Sequence, residues 1–214
     1  MPILKAAWDR GINTFDTANI YSNGESERII GRFLAEVSAV SERDDASYRI
    51  RNPRQFNIPR HLVVIATKCY GVVGAEPGMK TYAMPELHAH RDYVNQAGLS
   101  RTAIFNAVDA SLERLGTTYI DLLQIHQFDA KTPVEETMRA LHDLVQSGKV
   151  RYIGASCMPC WKLAYMNEVA GRNGWTRFVS VHNEHSLLYR EEVRTSTYVV
   201  PLRSFFTVPS SVGT

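Results

Sequence analysis

Short apolar segments alternate along the chain with longer segments that are apolar on one side only. Five of the short segments are rich in Val, Ile and Leu without strict alternation, which is typical of strands covered on both faces. They span residues 12–18, 62–68, 119–126, 150–156 and 178–184. The pattern therefore predicts five buried strands.

The segments between these strands have the helical period and recognisable ends. Ser100 predicts the N-cap of a helix over about 101–115, and Gly116 predicts its end. Thr132 predicts the N-cap of the next helix, and Gly148 its end. Further helices are expected at 25–37 and 161–171, and the chain opens inside another, "ILKAAWDRG".

Strands that alternate with helices predict parallel βαβ units, which build either an open doubly wound sheet or a closed (β/α)8 barrel. The glycine fingerprint of the open dinucleotide-binding sheet, Gly-x-Gly-x-x-Gly, follows none of the strands. Barrels carry their chemistry at the C-terminal ends of several strands, and polar residues end these strands. The predicted fold class is therefore α/β, a partial (β/α)8 TIM barrel with about five of the eight strands present.

Composition and charge remove several function classes. The 214 residues suit one domain or two small ones, and 44% hydrophobic with 21% charged residues is ordinary globular composition. A net charge of +2 gives no electrostatic reason to expect nucleic acid or a membrane surface as partner. No secretory signal or membrane span is recognisable, and three cysteines are too few for a disulfide framework. We therefore expect a cytoplasmic protein.

Five polar residues end the predicted strands: Asp16, Lys68, His126, Ser156 and Asn183. Each has an ordinary structural interpretation, as a turn former, a solvated lysine or a core histidine. In a barrel, however, neighbouring strand ends converge on one mouth. We therefore expect Asp16, Lys68 and His126 to meet there, together with the phenol of Tyr21 from the loop after the first strand.

That set has a chemical logic. A free phenol titrates near pH ~10, and a neighbouring ammonium lowers the pKa of a phenol. Lys68 can supply the ammonium, Asp16 can hold Lys68 in place, and His126 can donate a hydrogen bond to a substrate oxygen. The assembly predicts a general acid directed at a carbonyl group, with a nicotinamide hydride as the reductant.

Other motifs suggest competing sites. "CMPC" (157–160) follows a strand and opens a helix, as in thioredoxin-type redox sites, although two unrelated loop cysteines explain it as well. "HAH" (88–90) has no second ligand pair at zinc-finger spacing. "GVVGAEPG" (71–78) lacks the Lys-Ser/Thr of a phosphate loop and is expected to form the loop over the mouth, where substrate selectivity would lie.

Several of these motifs together resemble those of a known family. "GINTFDTANIYSNGESERIIGRFL", "LVVIATK", "SLERLGTTYIDLLQIHQFD", "SGKVRYIGAS" and "NEHSLLYREE" are similar to the aldo-keto reductases. The similarity is greatest to fungal members of the aryl-alcohol dehydrogenase and versiconal hemiacetal acetate reductase type. It implies a (β/α)8 barrel that uses NADP to reduce small-molecule carbonyl substrates, aldehydes or ketones, to alcohols.

The resemblance also implies roles for individual residues. The catalytic tetrad falls on Asp16, Tyr21, Lys68 and His126, with Tyr21 as proton donor, Lys68 as the modulator of its acidity, Asp16 as orienter and His126 as the carbonyl-polarising residue. The expected cofactor-binding residues are Asp16, Ser156, Cys157, His182 and Asn183. Cys157 stands where family members commonly have Asn, and His182 where they have Gln. A histidine ring nitrogen offers one donor or acceptor and does not reproduce an amide.

The resemblance covers roughly residues 3–193, with an insertion expected at about 39–60 and a divergent tail at 194–214. Family members have a further strand before the helix that opens this chain and two more βα units after "LLYREE". We therefore expect a barrel truncated at both ends. An alternative is a catalytically inactive fragment or a regulatory or interaction protein of the same fold. No feature of the sequence specifies an oligomeric state.

Overall fold

The structure is a computed structural model that describes residues 2–36, 58–183 and 187–188. Its strands and helices alternate as the hydrophobic pattern predicts. The strands are β1 (Thr14–Asp16), β2 (Val64–Cys69), β3 (Ile120–Ile125), β4 (Val150–Ser156) and β5 (Ser180–His182). The helices are α1 (Pro2–Trp8), α2 (Glu25–Glu36), α3 (Arg101–Leu115), α4 (Val134–Gln146) and α5 (Cys160–Arg172). Short 3-10 turns lie at Arg60–Leu62, Thr81–Ala83 and Pro85–Ala89.

The five strands form one parallel sheet in the order β1-β2-β3-β4-β5. Each strand therefore pairs with the next one along the chain. A doubly wound sheet instead reverses its strand order at a switch point. The sequential order is that of a barrel, and the prediction of a partial (β/α)8 barrel is confirmed.

The sheet is strongly curled. In a flat sheet the strand spacing would separate β1 from β5 by about 19 Å. The imidazole Nδ1 of His182, at the end of β5, nevertheless lies 4.0 Å from Oδ2 of Asp16 at the end of β1. The ends of the two outermost described strands therefore face each other across a concave surface.

The two faces of the sheet differ in polarity. Alternate side chains point outward and pack against the helices in a continuous apolar core, which includes Phe15, Ile65, Leu123 and Ile153. The residues between them line the concave face. Gly154 lies on this face, where a Cβ atom would come within 2.4 Å of the Ser180 hydroxyl, so a larger residue would have to displace that side chain.

The predicted helix ends are confirmed at α3 and corrected at α4. The Ser100 hydroxyl accepts a hydrogen bond from the Ala103 amide at 3.2 Å, and Gly116 ends α3 in the left-handed region. The prediction that Thr132 caps α4 is wrong, because Pro133 is the cap residue and no side chain caps the helix. The Thr132 hydroxyl donates instead to the Asp129 carboxylate at 2.8 Å.

Two predicted segments fall largely beyond what the structure describes. The expected insertion at 39–60 lies outside the described residues up to position 57, and the expected tail at 194–214 lies entirely outside them. At the end of the insertion, Ile58 is buried and its amide donates to the Leu34 carbonyl at 3.2 Å. Among the described helices, none has the length and apolarity needed to span a membrane.

Candidate active site

The ammonium group of Lys68 is at the centre of the concave mouth. Lys68 is the fifth residue of β2 and its side chain is only 1% exposed. It donates a hydrogen bond to Oδ2 of Asp16 at 2.8 Å and a second to the Thr17 carbonyl at 2.9 Å. A buried charge is tolerated only when it is paired in this way. The predicted contact between Lys68 and Asp16 is therefore present.

A glutamine that the sequence analysis did not single out also binds the carboxylate. Gln124 pairs in register with Lys68 in the neighbouring strand, and its amide donates to Oδ1 of Asp16 at 3.2 Å. Both oxygens of Asp16 therefore accept hydrogen bonds from β2 and β3. The signal was available, because Gln124 and His126 are two residues apart and so share one face of their segment.

Tyr21 reaches the same place from the turn between β1 and α2. The turn is built by three consecutive residues with positive φ, namely Ser22 at 48°, Asn23 at 51° and Gly24 at 86°. The centroid of the Tyr21 phenol ring lies 5.2 Å from the Lys68 ammonium. Tyr21 is 40% exposed, so the phenol can meet a ligand in the mouth.

His126 completes this group. It follows β3, and its ring lies edge-on to that of Tyr21 with 5.8 Å between centroids. Burial is the main cause that lowers the pKa of His126 below its ordinary value, and the nearby Lys68 ammonium lowers it further. The imidazole is therefore neutral at pH 7. Within the described part of the chain, its buried Nδ1 has no hydrogen-bond partner.

The ends of β4 and β5 form a second group beside the first. The Ser156 hydroxyl donates to the His182 carbonyl at 2.8 Å, and the Cys157 amide donates to the same carbonyl at 3.1 Å. Cys157 is exposed and has a φ of 47°. The Asn183 side-chain oxygen is buried without a partner among the described residues. The structure thus brings Ser156, Cys157 and His182 together, whereas the amide of Asn183 makes none of these contacts.

A cavity of about 290 Å³ opens beside His126. Its walls come from the loops after β1, β2 and β3, and they are largely apolar and aromatic. The lining residues are Ile20, Tyr70, Gly71, Val72, Thr81, Tyr82, Pro85, His88, His126 and Gln127. Small-molecule sites have this character, with a few polar groups placed in an apolar concavity.

Asn23 holds the wall formed by the loop after β2. Its amide nitrogen donates to the carbonyls of Glu76 at 2.6 Å and Met79 at 2.7 Å. Its side-chain oxygen accepts from the Gly74 amide at 2.9 Å. The "GVVGAEPG" loop is thereby tied to the turn that carries Tyr21, at the mouth where the sequence placed it.

The competing motifs have clear positions in the structure. Cys157 and Cys160 lie after β4 and at the start of α5, as predicted for "CMPC", and neither forms a disulfide. His88 and His90 lie in and just after the 3-10 turn Pro85–Ala89. Over the residues that the structure describes, no group of three or more His, Cys, Asp or Glu side chains is arranged to hold a metal ion.

The arrangement around Lys68 suits proton transfer to a polarised oxygen. A phenol beside a buried, paired ammonium can release its proton to a ligand, because the cation stabilises the phenolate that remains. A neutral imidazole edge-on to that phenol can donate a hydrogen bond to the same ligand. A carbonyl group meets both requirements.

Comparison with known proteins identifies relatives of this chain. The model of the aldo/keto reductase family matches residues 1–201, which extends into the first residues of the predicted tail. An aldo-keto reductase of Fusarium vanettenii is 53% identical over 199 residues, and one of Alternaria alternata is 52% identical over 198. The versiconal hemiacetal acetate reductase of Aspergillus parasiticus is 46% identical over 194 residues.

These alignments cover 91%, 90% and 91% of this chain, but 49%, 49% and 51% of the respective relatives. The chain therefore spans about half the length of the curated relatives it matches. The resemblance to fungal members of the family, predicted from the motifs, is confirmed.

Proposed function

The chain belongs to the aldo/keto reductase family, and we propose that it reduces aldehydes or ketones to alcohols with NADPH. The observation that carries the proposal is the enclosed Lys68 ammonium, held by Asp16 and facing the ring of Tyr21. Its neighbours form a proton-donating group at the edge of an apolar cavity.

In this proposal Tyr21 is the proton donor. Its phenol gives its proton to the carbonyl oxygen of the substrate, and the negative charge left on the phenolate is offset by Lys68. Asp16 keeps the ammonium in position, with the Gln124 amide on its other oxygen. Such positioned acid catalysis is typically worth ~10²–10⁴ in rate. NADPH, when bound, supplies the hydride that the carbonyl carbon receives.

His126 polarises the carbonyl group. Because its depressed pKa keeps the ring neutral at pH 7, the imidazole has one N–H to donate and adds no cation beside Lys68. A neutral donor lowers the electron density on the carbonyl oxygen without repelling the ammonium. The hydrogen bond directs the oxygen towards Tyr21.

The residues at the ends of β4 and β5 fit the carboxamide of a nicotinamide. The buried side-chain oxygen of Asn183, which has no partner among the described residues, needs an N–H donor, and a carboxamide supplies one. Ser156 uses its own proton on the His182 carbonyl, so its hydroxyl oxygen can accept. Ser156, Cys157, His182 and Asn183, with Asp16 opposite, are the proposed cofactor-binding residues. The choice of NADP over NAD rests on the family resemblance.

The substrate is proposed to be a small carbonyl compound that enters the cavity beside His126. At about 290 Å³ the cavity holds a small molecule, and its walls favour an apolar one. We propose the cytoplasm as the compartment, where exposed thiols such as Cys157 stay reduced.

The test combines a fluorescence titration of the 214-residue chain with NADPH and an assay of aromatic aldehyde reduction. Tyr21→Phe should lower kcat by about 10²-fold or more while the Kd of NADPH stays unchanged, since only the transferable proton is removed. Tyr165→Phe is the matched control, because Tyr165 is a partly exposed tyrosine on α5.

Three outcomes can be distinguished. Saturable binding with reduction that depends on Tyr21 supports the proposal. Binding without reduction of any carbonyl compound would favour the inactive or regulatory alternative. Equal activity of Tyr21→Phe and Tyr165→Phe would remove Tyr21 as the proton donor.

A further inference from the structure

Thr17 follows Asp16 and Thr67 precedes Lys68, and the side chains of both threonines point away from the mouth. Side chains alternate along a strand, so Thr17 and Thr67 face the helices while Asp16 and Lys68 face the concave surface. Both threonines are completely buried. Each threonine can therefore bind the helical layer. Such a bond would fix the strand end that carries Asp16 or Lys68.

Two consecutive residues in the first turn of α2 bind these two threonines. The Ser26 hydroxyl lies 2.7 Å from the Thr17 hydroxyl, which is hydrogen-bond distance. The next residue, Glu27, accepts a hydrogen bond from the Thr67 hydroxyl at 2.6 Å. One helical turn thus joins the ends of β1 and β2 from behind.

Glu27 is itself locked in place by α3. Its carboxylate is 0% exposed, and its second oxygen accepts from Nε of Arg114 at 2.6 Å. Arg114 also donates to the Ser111 hydroxyl at 3.1 Å, and its stem fills the space beside Gly24, where a Cβ would lie 2.5 Å from Cδ of the arginine. A carboxylate buried this completely, with both oxygens bound, has a single position.

The same turn also contacts the backbone of the proposed acid. The Ser26 amide donates to the Tyr21 carbonyl at 3.3 Å, and the Thr17 carbonyl is the second acceptor for the Lys68 ammonium. We propose that Ser26 and Glu27 are positioning residues, which set the distance between the Lys68 ammonium, Asp16 and Tyr21 through Thr17 and Thr67. This inference rests on the proposed function, but the geometry it concerns exists without substrate.

The test removes one hydroxyl at a time and keeps the side-chain shape. Thr67→Val frees the end of β2 from Glu27 while leaving the pair between Glu27 and Arg114 intact. Thr137→Val is the control, because Thr137 is another buried threonine, on α4, and its hydroxyl donates to the Leu99 carbonyl and not to any member of the tetrad. Each variant loses one buried hydrogen bond. Thr67→Val should lose more stability, because it leaves one oxygen of the buried Glu27 carboxylate without that partner, and urea unfolding of both variants measures the difference.

Two readouts separate positioning from stability. A misplaced Lys68 should lower kcat in Thr67→Val by about tenfold, with an unchanged Kd for NADPH and an increased primary deuterium isotope effect on kcat. The second readout needs no activity: the 15N ammonium resonance of Lys68, assigned with Lys68→Arg, should broaden or vanish in Thr67→Val as its protons exchange faster with water. Thr137→Val should match the unaltered chain in both.

The outcomes distinguish this inference from the proposed function. If the unaltered chain reduces no carbonyl but its Lys68 resonance is lost only in Thr67→Val, the reductase proposal fails and the positioning role stands. If the chain is active and Thr67→Val equals Thr137→Val in kcat, isotope effect and resonance, the positioning role is overturned.

Discussion

The two ends of the site differ in how completely the protein satisfies its own polar groups. At the β1–β2 end, the Lys68 ammonium is 1% exposed and binds both a carboxylate and a backbone carbonyl. At the β4–β5 end, the His182 side chain is 56% exposed and the oxygen of Asn183 has no partner among the described residues. The ion pair at the first end is satisfied within the protein, whereas the second end has polar groups left to satisfy.

The difference suggests a division of roles between the two ends in the proposed reaction. Polar groups that are fixed before a ligand arrives need no reorganisation when charge develops, and this is the larger part of electrostatic catalysis. Polar groups left unsatisfied are instead satisfied by the ligand. The β1–β2 end therefore suits proton transfer, and the β4–β5 end suits cofactor binding.

The largest effect should come from removing the charge of Lys68 at the β1–β2 end. Lys68→Met leaves the phenol of Tyr21 without a cation to stabilise its conjugate base, so kcat should fall by ~10²–10⁴ while NADPH still binds. Single-turnover reduction measured alongside a fluorescence titration checks both quantities. Lys5→Met is the control, since Lys5 is an exposed lysine of α1 that pairs with Asp9. Comparable losses of binding and of rate would contradict the division between the two ends.

A smaller effect, an increase in the affinity for NADPH, is expected from changing His182 at the β4–β5 end. His182→Gln replaces an imidazole by an amide that both donates and accepts, and one added hydrogen bond should tighten NADPH binding by about fivefold. Calorimetric titration measures the change, with His61→Gln as control because His61 is exposed in the 3-10 turn Arg60–Leu62. Weaker binding of NADPH by His182→Gln would show that the β4–β5 end makes a different contact with the cofactor.

The dependence of stability on pH should reveal the burial of His126, whose ring lies beside that of Tyr21. Burial lowers the pKa of His126 in the folded chain, and the Lys68 ammonium lowers it further. Protonation therefore favours the unfolded chain. The contribution of His126 is therefore fully present above about pH 6.5 and is lost as the pH falls towards the lowered value. Urea unfolding at several pH values should show a shallower decline for His126→Gln. Identical slopes for the two chains would contradict the buried, neutral imidazole.

The smallest effect is a contrast between two thiols. Burial raises the pKa of Cys69, the last residue of β2, to about 12, so this thiol should resist a thiol reagent in the folded chain. Cys157 is exposed and should react, and bound NADPH should slow it if the cofactor lies at the β4–β5 end. Mass spectrometry of the labelled chain, with Cys157→Ser to assign the site, checks this. Labelling of Cys157 at the same rate with saturating NADPH would argue against that cofactor position.

Local pattern predicted the elements of the fold and most members of the site. The Ser100 and Gly116 signals marked the two ends of α3, because a cap and a left-handed glycine act within one turn of chain. The hydrophobic period located all five described strands, and the contact between Lys68 and Asp16 followed from strand ends that converge. Thr132 was misassigned because its hydroxyl binds the nearby Asp129 carboxylate, which a capping pattern does not take into account.

By itself the sequence determined which residues end the strands, which faces are apolar and which family the chain resembles, since these depend on short-range periodicity and on motif spacing. The approach of His182 to Asp16 across the curled sheet, and the enclosure of Glu27 between Thr67 and Arg114, became visible only in three dimensions. Such contacts join elements far apart in the chain. They depend on sheet curvature and on how helices pack against it, and periodicity along one segment carries no information about either.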